Sequence, residues 1–307
     1  MKSRHLFIVT LLVLVGAFML VPIARAETIN GEKIHRYFVK AKMLAETLSA
    51  PHIRIVDCRR SIEDYQKGHI PGAVYLNVLK KLRVAGRGGV PGVRRMIEEQ
   101  EELLGRELGI NNDSMVILYD DSGLDATRLL WELTVAGHER VAILYGGWEE
   151  WIKNKLPQET ETPNIVPQAF VGRCNCDSLA TANYILANLG NPDVVIADCR
   201  PPEQFLGKKK HPKAACAGRI PGAVNTYALV NWENKTYPKP PEELEAMFED
   251  LGITRDKTVV VYCNSGYMGA NSWFILKALG YPDVKCYDYS WLEWSSKDHL
   301  PKVKPKM

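Results

Sequence analysis

Thr258–Gly280 reads TVVVYCNSGYMGANSWFILKALG, and this stretch decides the fold. Val259–Tyr262 is a continuous apolar run, the pattern of a strand buried on both faces of a parallel sheet. It ends on Cys263, followed by a short loop, Asn264-Ser265-Gly266-Tyr267-Met268-Gly269. A helix pattern comes next, with Ala270, Phe274, Ile275, Ala278 and Leu279 on one face and Gly280 as its stop. Strand, loop and helix in that order predict an α/β protein whose chemistry sits at the carboxyl ends of its strands. A thiol there faces main-chain N–H groups and the positive end of a helix, and both favour thiolate over thiol. Cys263 is therefore a candidate nucleophile. The alternative is a buried cysteine that only fills the core.

The same pattern occurs earlier in the chain. Val116–Tyr119 followed by Asp120 matches Val259–Tyr262 followed by Cys263, and Asp121-Ser122-Gly123 matches Asn264-Ser265-Gly266. Trp148-Glu149-Glu150-Trp151 matches Trp291-Leu292-Glu293-Trp294, and Leu108-Gly109-Ile110 matches Leu251-Gly252-Ile253. Asp57-Cys58-Arg59 matches Asp198-Cys199-Arg200, and Ile70-Pro71-Gly72-Ala73-Val74 matches Ile220–Val224. Ordered matches of this kind are the mark of a duplication. Each half alternates strands and helices, which predicts two domains, each a mainly parallel sheet flanked by helices. The expected strands are Ile53–Asp57, Met115–Tyr119 and Val141–Tyr145, then Val194–Asp198, Val259–Tyr262 and Val284–Tyr287. The expected helices are 31–48, 94–108 and 126–136, then 178–189 with a cap at Asp177 or Ser178, 242–251 and 269–279. The domains are expected at 27–156 and 177–307, joined by a linker at 157–176 that holds Pro157, Pro163 and Pro167.

Residues 1–26 read as a secretory signal: Lys2, Arg4 and His5, an apolar run over Leu6–Val21, and an A-x-A cleavage site at Ala24-Arg25-Ala26. The expected address is periplasmic or secreted. Removing this segment takes away three basic residues, so 36 acidic residues face an equal number of basic ones. That balance argues against nucleic acid as a partner, and no membrane partner is expected after cleavage. Seven cysteines in an oxidising compartment leave at least one unpaired within a monomer, as a free catalytic thiol requires. Cys174-Asn175-Cys176 either pairs with other cysteines or lies inert in the linker.

The Cys263 segment resembles the active-site loop of the rhodanese family, the thiosulfate and 3-mercaptopyruvate sulfurtransferases. Its Cys263-Asn264-Ser265-Gly266 form is nearer the mercaptopyruvate branch, although Asn264 and Met268 stand where members usually have Gly and Thr. The resemblance covers nearly the whole chain after residue 26 and implies two tandem rhodanese-like domains, the first silent because Asp120 replaces the nucleophile. It implies that Cys263 thiolate takes a sulfane sulfur from thiosulfate or a mercaptopyruvate-like donor as a persulfide, then gives it to a thiol or cyanide. The loop around Cys263, from Asn264, Gly266, Tyr267 and Met268 to Gly269, would bind substrate. Ser265 either donates to the sulfur or caps the helix. His69 either faces the loop and assists protonation, as its motif suggests, or holds its own turn through main-chain hydrogen bonds. For an anionic donor, Lys213 stands near one of the family's two substrate arginines, whereas Gln204 occupies the other position and loses a bidentate clamp. Neither metal nor organic cofactor is expected. Asp120-Asp121 lacks a third ligand for a metal, and a cysteine phosphatase would need Arg where Gly269 stands. A non-turnover sulfur or selenium carrier, or a binding module, is the alternative to an enzyme.

Overall fold

In a computed structural model, residues 37–82 and 93–304 are described, with the main chain of 28–29 and 32–33. The signal segment lies outside these residues. The first half forms a five-stranded sheet in the order Phe38–Val39, Val141–Leu144, Met115–Tyr119, Ile53–Asp57, Ala73–Tyr75. The second forms a four-stranded sheet in the order Val284–Tyr287, Thr258–Tyr262, Val194–Asp198, Val224–Asn225. Every pairing within these two sheets is parallel. The central strands Met115–Tyr119 and Thr258–Tyr262 are buried along nearly their whole length, so their sequences do not alternate.

The two halves share one core. Helix Asp125–Val135 follows the central strand of the first sheet, and helix Tyr267–Ala278 follows that of the second. These helices pack on each other across the junction, and all residues of Asp125–Val135 are buried. One apolar cluster runs from Leu118 and Leu129 through Trp232 and Phe274 to Val259. Buried Asn271 ties the helices, donating to Gly123 O at 2.6 Å and accepting from Trp232 Nε1 at 3.0 Å. A two-stranded ribbon of the second half, Trp232–Asn234 with Tyr237–Pro238, lies over the loop after Asp120 in the first. Its Lys235 carbonyl comes so near Gly123 that a Cβ there would sit 1.9 Å away.

Four sequence expectations need correction. The helix expected at 31–48 is, among the described residues, two short strands, Glu32–Lys33 and Phe38–Val39, and a helix Ala41–Glu46. Pairing with Val141–Leu144 satisfies the Phe38–Val39 main chain better than an isolated turn would. The 94–108 helix is α only over Ile97–Glu101 and continues as a wider π turn over Glu102–Glu107, where Gly105 O accepts from linker Gln168 at 2.9 Å. The 178–189 helix begins at Ala182, because Thr181 Oγ1 accepts from Tyr184 N at 3.1 Å and caps it there. Cys174 and Cys176 pair with each other rather than lying inert, and both are exposed. The remaining expected elements hold to within about two residues at either end.

Candidate active site

Cys263 stands one residue past the carboxyl end of the central strand, 3% exposed. The loop turns sharply at Gly266, φ +74°, which leads into helix Tyr267–Ala278. A Cβ on Gly266 would lie 2.3 Å from Asp288 Oδ1 and 2.8 Å from Arg128 Nη1, so a side chain is barred by space as well as by conformation. The first helical hydrogen bond runs from Ala270 N to Gly266 O at 2.8 Å. The N–H groups of Tyr267, Met268 and Gly269 therefore lack a carbonyl one turn earlier and form the positive end of the helix.

The matching loop of the first half shows what such amides do. Asp120 occupies the place of Cys263, and its carboxylate accepts from Gly123 N at 3.0 Å, Asp125 N at 2.8 Å and Ala126 N at 3.1 Å. Ser122 Oγ adds a contact at 3.1 Å. Burial nevertheless raises the Asp120 carboxyl to about 6, with the amide contacts opposing that shift. In the register that sets Asp120 against Cys263, Asp125 and Ala126 stand against Met268 and Gly269. A negative charge on residue 263 would meet the same two amides.

Ser290 holds the loop in place, and sequence reasoning missed it. Its Oγ accepts from Cys263 N and from Gly266 N, both at 3.0 Å, and donates to Tyr287 O at 2.6 Å. Its φ of +53° is uncommon for serine, the kind of strained conformation found at functional sites. The signal was available in the repeat. Matching Trp148 with Trp291 puts Ser290 opposite Gly147, and a glycine in one copy marks a position that needs positive φ. Trp291 N closes the loop from the other side, donating to Cys263 O at 3.0 Å.

The other sequence candidates divide. Asn264 is held by Gln204, whose Oε1 accepts from Asn264 Nδ2 at 2.9 Å, while Asn264 Oδ1 is buried without a partner. Ser265 is buried in the loop, and Met268 is half-buried. Tyr267 donates its hydroxyl across the domain junction to Asp125. His69 takes the turn-holding alternative: fully buried, it stacks on Tyr65 at 3.9 Å. Its Nδ1 lies 2.9 Å from Tyr65 O and its Nε2 3.3 Å from Glu161 O. With both ring nitrogens on main-chain carbonyls, His69 braces the linker and is not brought to the Cys263 loop. Lys213 is exposed on a turn and makes no ion pair among the described residues.

Buried charge lies beside each of the two loops. Arg59 and Arg200 each grip the aspartate two residues earlier, and each also donates to a glycine carbonyl at 2.8 Å. Tyr119 and Tyr262 donate to those same aspartates at 2.6 Å. Below Gly266, Arg128 of the first half bonds Asp288 of the second at 2.8 Å and Glu132 at 2.7 Å. Among the described residues, no group of three or more His, Cys, Asp or Glu side chains is arranged to hold a metal.

The sequence matches the family described as rhodanese-like domain twice, over residues 40–154 and 181–297. The chain belongs to the rhodanese family. The first match covers the first sheet apart from its edge strand Phe38–Val39, and the second covers the second sheet and contains Cys263. Among rhodanese relatives, a thiosulfate sulfurtransferase of Azotobacter vinelandii is 34% identical over 259 residues, covering 84% of this chain and 93% of its own. The sulfur carrier protein TtuD of Thermus thermophilus is 34% identical over 283 residues, covering 87% and 96%. The crystal structure of the 3-mercaptopyruvate sulfotransferase SseA from Escherichia coli superposes with a TM-score of 0.74 at 30% identity, over 83% of this chain and 98% of that one.

Proposed function

We propose that this chain is a sulfurtransferase working through Cys263. The thiolate attacks the sulfane sulfur of the donor. A new S–S bond forms, and the donor's own bond to that sulfur breaks, releasing sulfite from thiosulfate or the enolate of pyruvate from mercaptopyruvate. The enolate then takes a proton. An acceptor thiolate or cyanide next attacks the outer sulfur and returns Cys263 as thiolate, in two half-reactions. The observation that carries this reading is the Asp120 carboxylate seated on helix-start amides in the duplicate loop. A loop that holds a carboxylate charge in one copy is suited to hold a thiolate or persulfide charge in the other. Ser290 would fix the loop's shape from behind, and Asn264, Ser265, Gly266, Tyr267, Met268 and Gly269 would line the sulfur's surroundings.

Mass spectrometry after exposure to thiosulfate or mercaptopyruvate tests this. One added sulfur on Cys263, lost on adding cyanide, is the expected result, and an unmodified Cys263 with transfer continuing would refute it. The likeness to a sulfur carrier keeps a second reading in view. Steady-state turnover with a small thiol or cyanide supports the enzyme, whereas a single stoichiometric transfer that stalls until a protein acceptor is added supports the carrier. We also propose that residues 1–26 direct export and are removed. An exposed disulfide at Cys174–Cys176 suits an oxidising compartment. N-terminal sequencing of protein made in its own cell should begin at Glu27.

A further inference from the structure

We propose that Arg128 of the first half is a positioning residue for the Cys263 loop of the second, so that the half carrying Asp120 supplies part of that loop's frame. The proposal rests on the sulfurtransferase reading and extends it to what the first half does for the reaction. The register that sets Asp120 against Cys263 also sets Gly123 against Gly266 and Arg128 against Asn271. Gly123 and Gly266 turn the two loops, at φ +70° and +74°. Each is met by the helix of the other half. Asn271 crosses to the first loop and donates to Gly123 O at 2.6 Å. Arg128 crosses to the second, where its Nη1 and Asp288 Oδ1 fill the space a Cβ on Gly266 would need. Equivalent helix positions therefore cross the junction in both directions, the reciprocal pattern of two surfaces related by a two-fold axis. The two crossings differ in chemistry. Asn271 is neutral and bonds the turn itself, whereas Arg128 is charged and works through Asp288.

Asp288 is the link. One of its oxygens accepts from Arg128 Nη1 at 2.8 Å and the other from Arg94 N at 2.7 Å, and both donors belong to the first half. Asp288 stands two residues before Ser290, whose Oγ holds Cys263 N and Gly266 N. The segment Asp288–Ser290 is thus tied to the first half at one end and to the Cys263 loop at the other. Arg128 is braced in turn on its far side. Its Nη2 donates to Glu132 Oε1 at 2.7 Å, Glu132 accepts from Gln100 Nε2, and the guanidinium lies 4.6 Å from the centre of the Trp131 ring. Arg128, Glu132, Gln100 and Asp288 are all buried. Buried charged groups that lose a partner find few substitutes, so the chain of contacts holds one arrangement. A shift of the Gly266 turn would move the helix-start amides relative to Cys263, and a displacement of about 1 Å is enough to slow a reaction about a hundredfold. Arg128 acts through Asp288 and not on the donor, so its effect belongs in kcat and not in KM.

The test uses the full chain and sets the two crossings against each other, with thiosulfate or mercaptopyruvate as donor and cyanide as acceptor. Arg128→Lys keeps the charge but lacks the fork that holds Asp288 and Glu132 at once. It should lower kcat about tenfold and leave the donor KM within about twofold. Arg128→Met, Glu132→Gln and Asp288→Asn made together remove the charges without stranding any of them. That variant should still unfold cooperatively on heating, yet its kcat should fall about a hundredfold. Asn271→Ala undoes the opposite crossing and should lower Tm while leaving kcat within about threefold. A kcat near that of the unmodified chain in the folded triple variant overturns the proposal. So does a rise in KM alone, or a loss of kcat in Asn271→Ala as large as in Arg128→Lys, which would mean only that the junction had loosened. If the unmodified chain forms no persulfide on Cys263 with either donor, the sulfurtransferase reading itself fails, whereas an active chain with fully active Arg128 variants overturns this inference alone.

Discussion

Asp120 and Cys263 end equivalent strands and open equivalent helices, yet the two loops are stabilised in different ways. In the first half the side chain at the strand end is itself the anion, and it closes on Gly123, Asp125 and Ala126 N–H. In the second half the thiol is small, and Ser290 Oγ takes the N–H groups of Cys263 and Gly266. The ribbon around Lys235 covers the first loop, whereas Asp288 and Arg128 press against the turn of the second. The difference teaches that the cradle is a property of the fold, and that the side chain set in it decides whether the site is closed or reactive. A carboxylate fills the cradle with its own charge, and a thiol leaves it open to a charge on sulfur.

The largest expected effect comes from making the halves alike. Cys263→Asp should reproduce the silent loop, keep the fold, and reduce sulfur transfer at least about a thousandfold. Activity and thermal unfolding measured together check this, and retained transfer would end the comparison. Next is Gly266→Ala, which forces a Cβ against Asp288 at positive φ. It should cost about 2–4 kcal/mol of stability in denaturant titrations, with loss of activity. Ser290→Gly, which gives the second loop the residue of the first, should lower kcat about ten- to a hundredfold with less change in Tm, because the two N–H groups it holds are freed.

A smaller effect belongs to Asp120. Its folded carboxyl titrates near 6, above the unfolded value near 4. The folded state therefore holds the extra proton between those values, and this group's contribution to stability is present at low pH and declines as pH rises from about 4 to 6. Asp120→Asn should remove up to about 3 kcal/mol of that pH-dependent change. Glu132, held up to about 7 by burial against the opposing pull of Arg128, has the same sign. The difference between the two stability–pH curves isolates Asp120.

Much of this was legible in the chain. The apolar runs Met115–Tyr119 and Thr258–Tyr262 are buried on both faces, so hydrophobicity alone marked them as central strands. The edge strand Phe38–Val39 was not marked, because two residues carry no period and their partner lies about a hundred positions away. His69 was open to two readings, since its motif says nothing of which carbonyls its ring will meet; Glu161 arrives only when the linker folds back. Ser290 was recoverable from its glycine counterpart.

Local pattern in the chain sets the duplication, the α/β class, the place of Cys263 after a buried strand and its replacement by Asp120 in the first copy. These follow from local pattern, which the backbone reads within one strand, loop and helix. Packing in three dimensions alone brings Asp125 to Tyr267 and carries Arg128 across to Asp288. Such contacts join residues more than a hundred positions apart. They are set by how two separately patterned helices pack, and no stretch of sequence records that.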